Sequence, residues 1–218
     1  MKHWQETRQI EGSSADAAAG RVAALVLAAG LSRRLGNNKL LAEIDGEPLV
    51  RRTARRAIEA GLDPVLVVVG HERERTEEAL DGLQCRTVFN PRYAEDGKNG
   101  SLKVGISAVP DDAAAAMVIL ADMPRVEATM MEALVRIYRA GRARLVVSRY
   151  GKVTAPPMLY DRALFSELLE MQGEGCGKRV VRSHLDEAEI LDWPEAALRD
   201  LDVDADAREL GAELAEPA

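Results

Sequence analysis

The stretch LVLAAGLSRRLGNNKLL, Leu25–Leu41, places Arg33, Arg34 and Lys39 within seven residues, directly after an apolar run that breaks at Gly30. That grouping suits phosphate chemistry. Gly30 and Gly36 lack a Cβ and tolerate positive φ, so backbone there can come close to a ligand. The N–H groups of such a loop cradle phosphate oxygens. Guanidinium and ammonium groups add charge and donors for the same oxygens, and Ser32 can donate through its hydroxyl. The spacing is neither GxxxxGK[ST] nor GxGxxG, which argues against a Walker A loop and a dinucleotide site. A solvated basic loop is the other reading of the same residues.

A second candidate is ILADMP, Ile119–Pro124, an apolar run that closes on one acid, Asp122. A carboxylate at the end of a buried strand can hold Mg²⁺, a hard ion that prefers oxygen ligands and bridges to substrate phosphates. The alternative is that Asp122 caps the turn before Pro124. NGSLKVGI, Asn99–Ile106, reads by itself as a helix start with Ser101 as its cap. Arg51, Arg52, Arg55 and Arg56 read as the solvated outer face of a helix. Cys176 reads as a tight-turn filler, since no His lies at a partner spacing.

These residues need a scaffold, and the pattern supplies one. Short runs rich in Val, Ile and Leu occur at Val22–Ala29, Pro64–Val69, Arg86–Phe89, Met117–Ala121 and Leu145–Ser148. They read as strands covered on both faces. Amphipathic stretches lie between them. One starts at Pro48, carries Leu49, Val50, Ala54, Ala57 and Ile58, and stops at Gly61. Others carry Met130, Met131, Leu134, Val135 and Tyr138, then Leu164, Phe165, Leu168 and Leu169 after an Asp161 N-cap. The alternation predicts an α/β fold, a mostly parallel sheet with helices on both faces. Ligands of such sheets bind beyond the carboxyl ends of the strands. Residues 1–20 read as a flexible arm and 21–218 as a single domain. A late strand, Glu189–Trp193, and a terminal helix are expected in the acidic tail.

The 218 residues carry a net charge of −7, which argues against nucleic-acid or anionic-membrane binding. Two cysteines and three histidines lie scattered, so a zinc site is not expected. No apolar stretch is long enough for a membrane span, and no secretory signal is visible, which points to the cytoplasm.

LAAGLSRRLGNNK resembles the LAAGxSxRxGxxK signature of MobA-like nucleotidyltransferases, and more closely the molybdenum cofactor cytidylyltransferases. Leu27, Ala28, Ala29, Gly30, Ser32, Arg34, Gly36 and Lys39 fill the fixed positions. The resemblance implies a loop that wraps an NTP triphosphate, with Arg34 and Lys39 on phosphates and Arg33 a bystander. It implies Asp122 as a magnesium ligand and gives Ser101, Leu102 and Gly105 the place of an SSLxxG segment that contacts the base. LDVDADARE, Leu201–Glu209, resembles a late acidic segment that would make Asp204 a second metal ligand beside Asp202. The Thr and Pro of that segment are absent, and a solvated acidic turn is the alternative. On the acceptor side, Ala155–Pro156–Pro157 stands where relatives have a turn with His. Gly173–Lys178 stands where they have GDxGA. Pro157, Gly175, Gly177 and Lys178 would bind the acceptor. Lys178, Arg179 and Arg182 either meet its phosphate or face water. These departures bear on the acceptor more than on the nucleotide.

The fold implied is a three-layer α/β/α sandwich of the nucleotide-diphospho-sugar-transferase, Rossmann-like kind. The activity implied is Mg²⁺-dependent transfer of CMP from CTP to molybdopterin with release of pyrophosphate, with Arg34, Lys39 and Asp122 catalytic. A molybdoenzyme or its chaperone is the macromolecular partner such an activity suggests. Transfer to a sugar or alcohol phosphate, and a redox or binding protein that reuses the fold, are the alternatives.

Overall fold

A computed structural model describes residues 20–30, 38–141, 143–172 and 175–198, and the backbone of 212 and 213. Strands β1 (Arg21–Ala28), β4 (Val65–Val69), β5 (Arg86–Phe89), β6 (Ala113–Leu120), β7 (Leu145–Tyr150), β8 (Val153–Asp161) and β9 (Glu189–Trp193) form one sheet. Its order is β5-β4-β1-β6-β8-β7-β9. β5, β4, β1 and β6 run parallel, and β9 is parallel to β7. β8 alone is antiparallel to both neighbours, β6 and β7.

The side-chain period of two makes this a three-layer structure. Val22, Ala24, Val26 and Ala28 of β1 enter one core cluster with Val65, Val67, Val69, Ala115, Met117 and Ile119. Ala23, Leu25, Leu66, Ala116 and Val118 enter the other. Strands apolar on both faces demand a helical layer on each side. The first cluster is closed by α1 (Leu49–Glu59) and α4 (Ala128–Arg139), the second by α3 (Tyr93–Ser107), α5 (Phe165–Glu170) and α6 (Cys176–Ser183). A short helix α2 (Arg73–Ala79) follows β4.

The expected stripes of α1 and α4 face these cores, as do Leu164, Phe165 and Leu168 of the third stripe, while Leu169 is exposed; Asp161 accepts from Ala163 N at 2.8 Å as a cap. α1 is entered through a hairpin of β2 (Glu43–Ile44) and β3 (Glu47–Pro48). Its turn residues Asp45 and Gly46 have φ of 55° and 75°, as a two-residue type I′ turn requires. β10 (Ala212–Glu213) adds to β2.

Three expectations need correction. β5 is not covered on both faces: it is an edge strand, and Arg86, Thr87 and Phe89 are exposed. Ala155–Pro156–Pro157 is no turn but the interior of β8. It escapes the usual ban on proline there because the pairing with β7 shifts register between Val147 and Arg149. The Ser148 hydroxyl donates to Pro157 O at 2.7 Å, and Tyr150 Oη donates to Pro156 O at 3.0 Å. Ser101 caps no helix. α3 starts eight residues earlier, at Tyr93, and is broken at a non-helical Gly97 with φ 56° and ψ −147°, so Ser101 lies inside the second helical segment. After the expected late strand, Glu195–Leu198 forms a 3₁₀ turn, and the rest of the expected terminal helix lies outside the described residues.

Candidate functional site

The sheet dictates where a ligand can sit. From β1 the chain moves outward through β4 and β5, then returns to place β6 on the other side of β1. A crevice opens at such a reversal, beyond the carboxyl ends of the two strands. A cleft of about 320 Å³ lies there, lined among others by Leu27, Ala29 and Gly30 at the end of β1, Leu120 and Asp122 at the end of β6, and Lys39. Tyr93, Gly97, Lys98 and Ser101 of α3 form another wall.

Asp122 is 8% exposed. Its Oδ2 accepts from Lys39 Nζ at 2.8 Å. The peptide before it is fixed to the sheet, because Ala121 N donates to Leu27 O at 3.2 Å. Lys39 opens a 3₁₀ turn, Lys39–Leu41, whose N-cap Asn38 accepts from Leu40 N at 3.1 Å. Leu40 and Leu41 are buried and anchor the turn, so the ammonium is delivered to the cleft by packing behind it.

The α3 wall has its own support. Asn90, 1% exposed, accepts from Arg92 N and donates to Ser101 Oγ at 3.2 Å. Ser101 in turn donates to Gly97 O at 3.2 Å. Gly97 breaks the helix, so a second helical segment starts at Lys98 on the cleft, where its positive dipole end favours anions. Tyr93 is held by close packing: a Cβ on Gly70 would meet Tyr93 Cβ at 2.6 Å.

The structure thus brings Leu27, Ala29, Gly30, Lys39, Ser101 and Asp122 to one cleft. Ala28 is buried in the first core cluster instead. Leu102 and Gly105 lie on the packed side of α3. Leu102 belongs to the second cluster, and a Cβ on Gly105 would meet Val68 Cγ2 at 3.1 Å. A Cβ on Gly177 of α6 would meet Leu102 Cδ2 of α3 at 3.3 Å, Pro157 is buried in β8, Gly175 precedes α6 with φ 74°, and Lys178 is exposed. Ser32, Arg33, Arg34, Gly36, Asp202 and Asp204 lie outside the described residues. Among the described residues no group of three or more His, Cys, Asp or Glu could hold a metal ion. A lone buried carboxylate still fits Mg²⁺, which keeps several waters and takes one or two carboxylates plus substrate phosphates.

Sequence reasoning passed over Tyr93, Gly97, Lys98 and Asn90, for which the only signal was proximity to NGSLKVGI. It also misread the basic run on α1. Arg51 donates to Ala79 O and Asp81 O, and Arg55 pairs with Glu47 and Glu59. Arg56 is 6% exposed, and burial pulls its guanidinium below the usual arginine range. It donates to Pro124 O at 2.7 Å and Val126 O at 2.9 Å, and pairs with Glu127 at 2.7 Å. Arg56 follows Leu49 by seven residues and Thr53 by three, which places it inside the apolar stripe.

A family model described as the MobA-like NTP transferase domain matches residues 24–188. The chain belongs to this family. Among curated relatives, this MobA-like domain is 33% identical over 147 residues to the bifunctional protein GlmU of Anaeromyxobacter dehalogenans strain 2CP-C, matching 66% of this chain. It spans 30% of that relative's length. It is 31% identical over 169 residues to the purine catabolism protein PucB of Bacillus subtilis strain 168, over 72% of this chain and 78% of that one. The crystal structure of Rv0371c from Mycobacterium tuberculosis H37Rv superposes with a TM-score of 0.75 at 24% identity, over 88% of this chain and 98% of that one. Its manganese complex superposes with a TM-score of 0.70 at 24% identity, over 88% and 97%. At these identities the likeness to the solved structures is one of fold, the nucleotide-diphospho-sugar-transferase sandwich. No helix among the described residues is long and apolar enough to cross a membrane.

Proposed function

We propose that this chain is a nucleotidyltransferase that moves CMP from CTP onto a phosphorylated acceptor, molybdopterin in the first instance, and releases pyrophosphate. The observation that carries the reading is the buried Asp122 joined to Lys39 at the β1/β6 crevice of a MobA-like domain. In the reaction an acceptor phosphate oxygen attacks the α-phosphorus. A new P–O bond forms, the bond to the bridging oxygen of the β-phosphate breaks, and its electron pair leaves with pyrophosphate. No side-chain nucleophile is needed, because the acceptor phosphate is already anionic. Catalysis is then positioning plus charge neutralisation.

Lys39 and Arg34 hold the triphosphate and steady the departing pyrophosphate, with Ser32, Gly36 and Gly30 shaping the loop around it. Lys98 and the segment from Gly97 to Ser101 bound the other side of the nucleotide. Asp122, joined by Asp204, would hold Mg²⁺, which would supply positive charge to offset that of the reacting phosphates. The manganese complex of Rv0371c adds support for a divalent ion on this fold. Pro157, Gly175, Gly177 and Lys178 are assigned to the acceptor side.

Calorimetric titration of CTP, GTP, ATP, UTP and NADPH, with and without Mg²⁺, tests the reading. CTP is expected to bind with Mg²⁺ and to release pyrophosphate once the acceptor is added. Magnesium-independent NADPH binding with no NTP preferred would sink it. A second reading, transfer to a sugar or alcohol phosphate, is favoured by the Ala155–Pro157 segment. It lacks the His of relatives, and its proline carbonyls are already bonded within the sheet. Pyrophosphate release with such an acceptor and none with molybdopterin would select it.

A further inference from the structure

We infer that Arg56, assisted by Thr53, is a positioning residue that fixes Asp122 for its metal through the backbone of the loop after β6. The inference rests on the proposed role of Asp122 as a metal ligand. Among the described residues, Asp122 is the one buried acid and Arg56 the one buried base. They do not pair with each other. Asp122 turns to Lys39 in the cleft, while Arg56 lies behind the loop and is absent from the cleft lining.

Thr53 and Arg56 stand three residues apart, so they share one face of α1. Thr53 Oγ1 shares its one proton between Leu49 O of its own helix at 3.0 Å and Ala121 O at 3.4 Å. Arg56 takes the carbonyls of Pro124 and Val126. The tied carbonyls thus bracket Asp122 from both sides, at Ala121 and at Pro124. A buried guanidinium costs several kcal/mol unless its donors are used. Here it serves three acceptors, all on the loop that carries Asp122 or at its end. An ammonium has the charge but not the planar fork, so Lys cannot reproduce the arrangement.

The test is Mn²⁺ affinity, read by water-proton relaxation enhancement in the presence of CTP, for wild type, Arg56→Gln, Arg56→Lys, Thr53→Val and Asp122→Asn. Outer groups that orient a metal ligand typically contribute about 10–100-fold to metal affinity. Arg56→Gln is expected to lose that much while its CTP affinity without metal is unchanged. Arg56→Lys should fail to rescue, and Thr53→Val should show a smaller loss of the same sign. If Arg56→Gln does not fold, Arg56→Lys and Thr53→Val decide on the same readout. Wild-type Mn²⁺ affinity in folded Arg56 and Thr53 variants, with affinity lost in Asp122→Asn, overturns the positioning role alone. No saturable Mn²⁺ binding by the wild type overturns it together with the reading of Asp122.

Discussion

The two halves of the sheet are built on different plans. In the half β5-β4-β1-β6 every neighbour is parallel, the ladder between β1 and β4 runs without a break from Ala24↔Val65 to Ala28↔Val69, and the β1–β6 ladder slips only at its start, between Arg21 and Val22, far from the cleft. The half β8-β7-β9 contains a reversed strand, two prolines in mid-strand and a shifted register at Ser148. The regular half ends in the cleft with Asp122 and Lys39. Of the residues proposed for the acceptor, only Pro157 lies in the irregular half, while Gly175, Gly177 and Lys178 belong to the start of α6. On the proposed reading the nucleotide therefore meets the regular half of the sheet.

The sharpest way to break this comparison is a change in the regular half that alters more than nucleotide chemistry. Asp122→Asn is expected to lower kcat/KM by about 10²–10³, the size seen when one preorganised electrostatic group is removed, with Tm near wild type by calorimetry. Lys39→Met should lose about the same in rate by the same argument. It should nevertheless bind Mn²⁺ more tightly than wild type when no nucleotide is present, because Asp122 loses its competing cation. Looser Mn²⁺ binding would contradict that account.

In the irregular half, Ser148→Ala leaves the buried Pro157 carbonyl without its donor and should cost about 1–3 kcal/mol of stability in denaturant unfolding. CTP affinity should be untouched, and a change there would mean that the halves are coupled. Gly97→Ala places a side chain where φ is 56° and ψ −147°, at an expected cost of about 1–3 kcal/mol. Beyond its chain neighbours and its own helix backbone, nothing lies within 4 Å of the added Cβ, so the strain is in the backbone, and NTP affinity should fall with it.

The smallest effect belongs to Glu47, whose carboxyl Arg55 holds below the usual range. A depressed folded-state pKa gives stability that is present above the unfolded value and lost as pH falls through the folded one. Glu47→Gln should therefore cost less than about 1 kcal/mol at neutral pH, since the pair is part-exposed. The gap to wild type should close under acid.

The comparison also sorts what the sequence could tell. β1, β4 and β6 are legible because a strand buried on both faces must be apolar throughout, and PVLVVV and MVILA are. Lys39 and Asp122 are legible as types placed at the ends of such runs. β8 is not, because Pro156 and Pro157 read as a break. The register shift opposite Ser148 makes a strand tolerable there, and the hydroxyls of Ser148 and Tyr150 satisfy the proline carbonyls. The start of α3 is hidden by Gly97, which a propensity argument takes for an end. Arg56 is hidden by its three basic neighbours. Its charge says surface, while its phase relative to Leu49 and Thr53 says core, and phase prevails because three acceptors await it inside.

The reversed β8 also sets an order of assembly. β7 and β8 are consecutive and joined by a two-residue turn at Gly151, so their pairing is local and quick. β6 must wait for that hairpin to dock, with its apolar AAAAMVIL edge uncovered until it does. A nascent chain released near residue 150 would show a sticky strand to its neighbours.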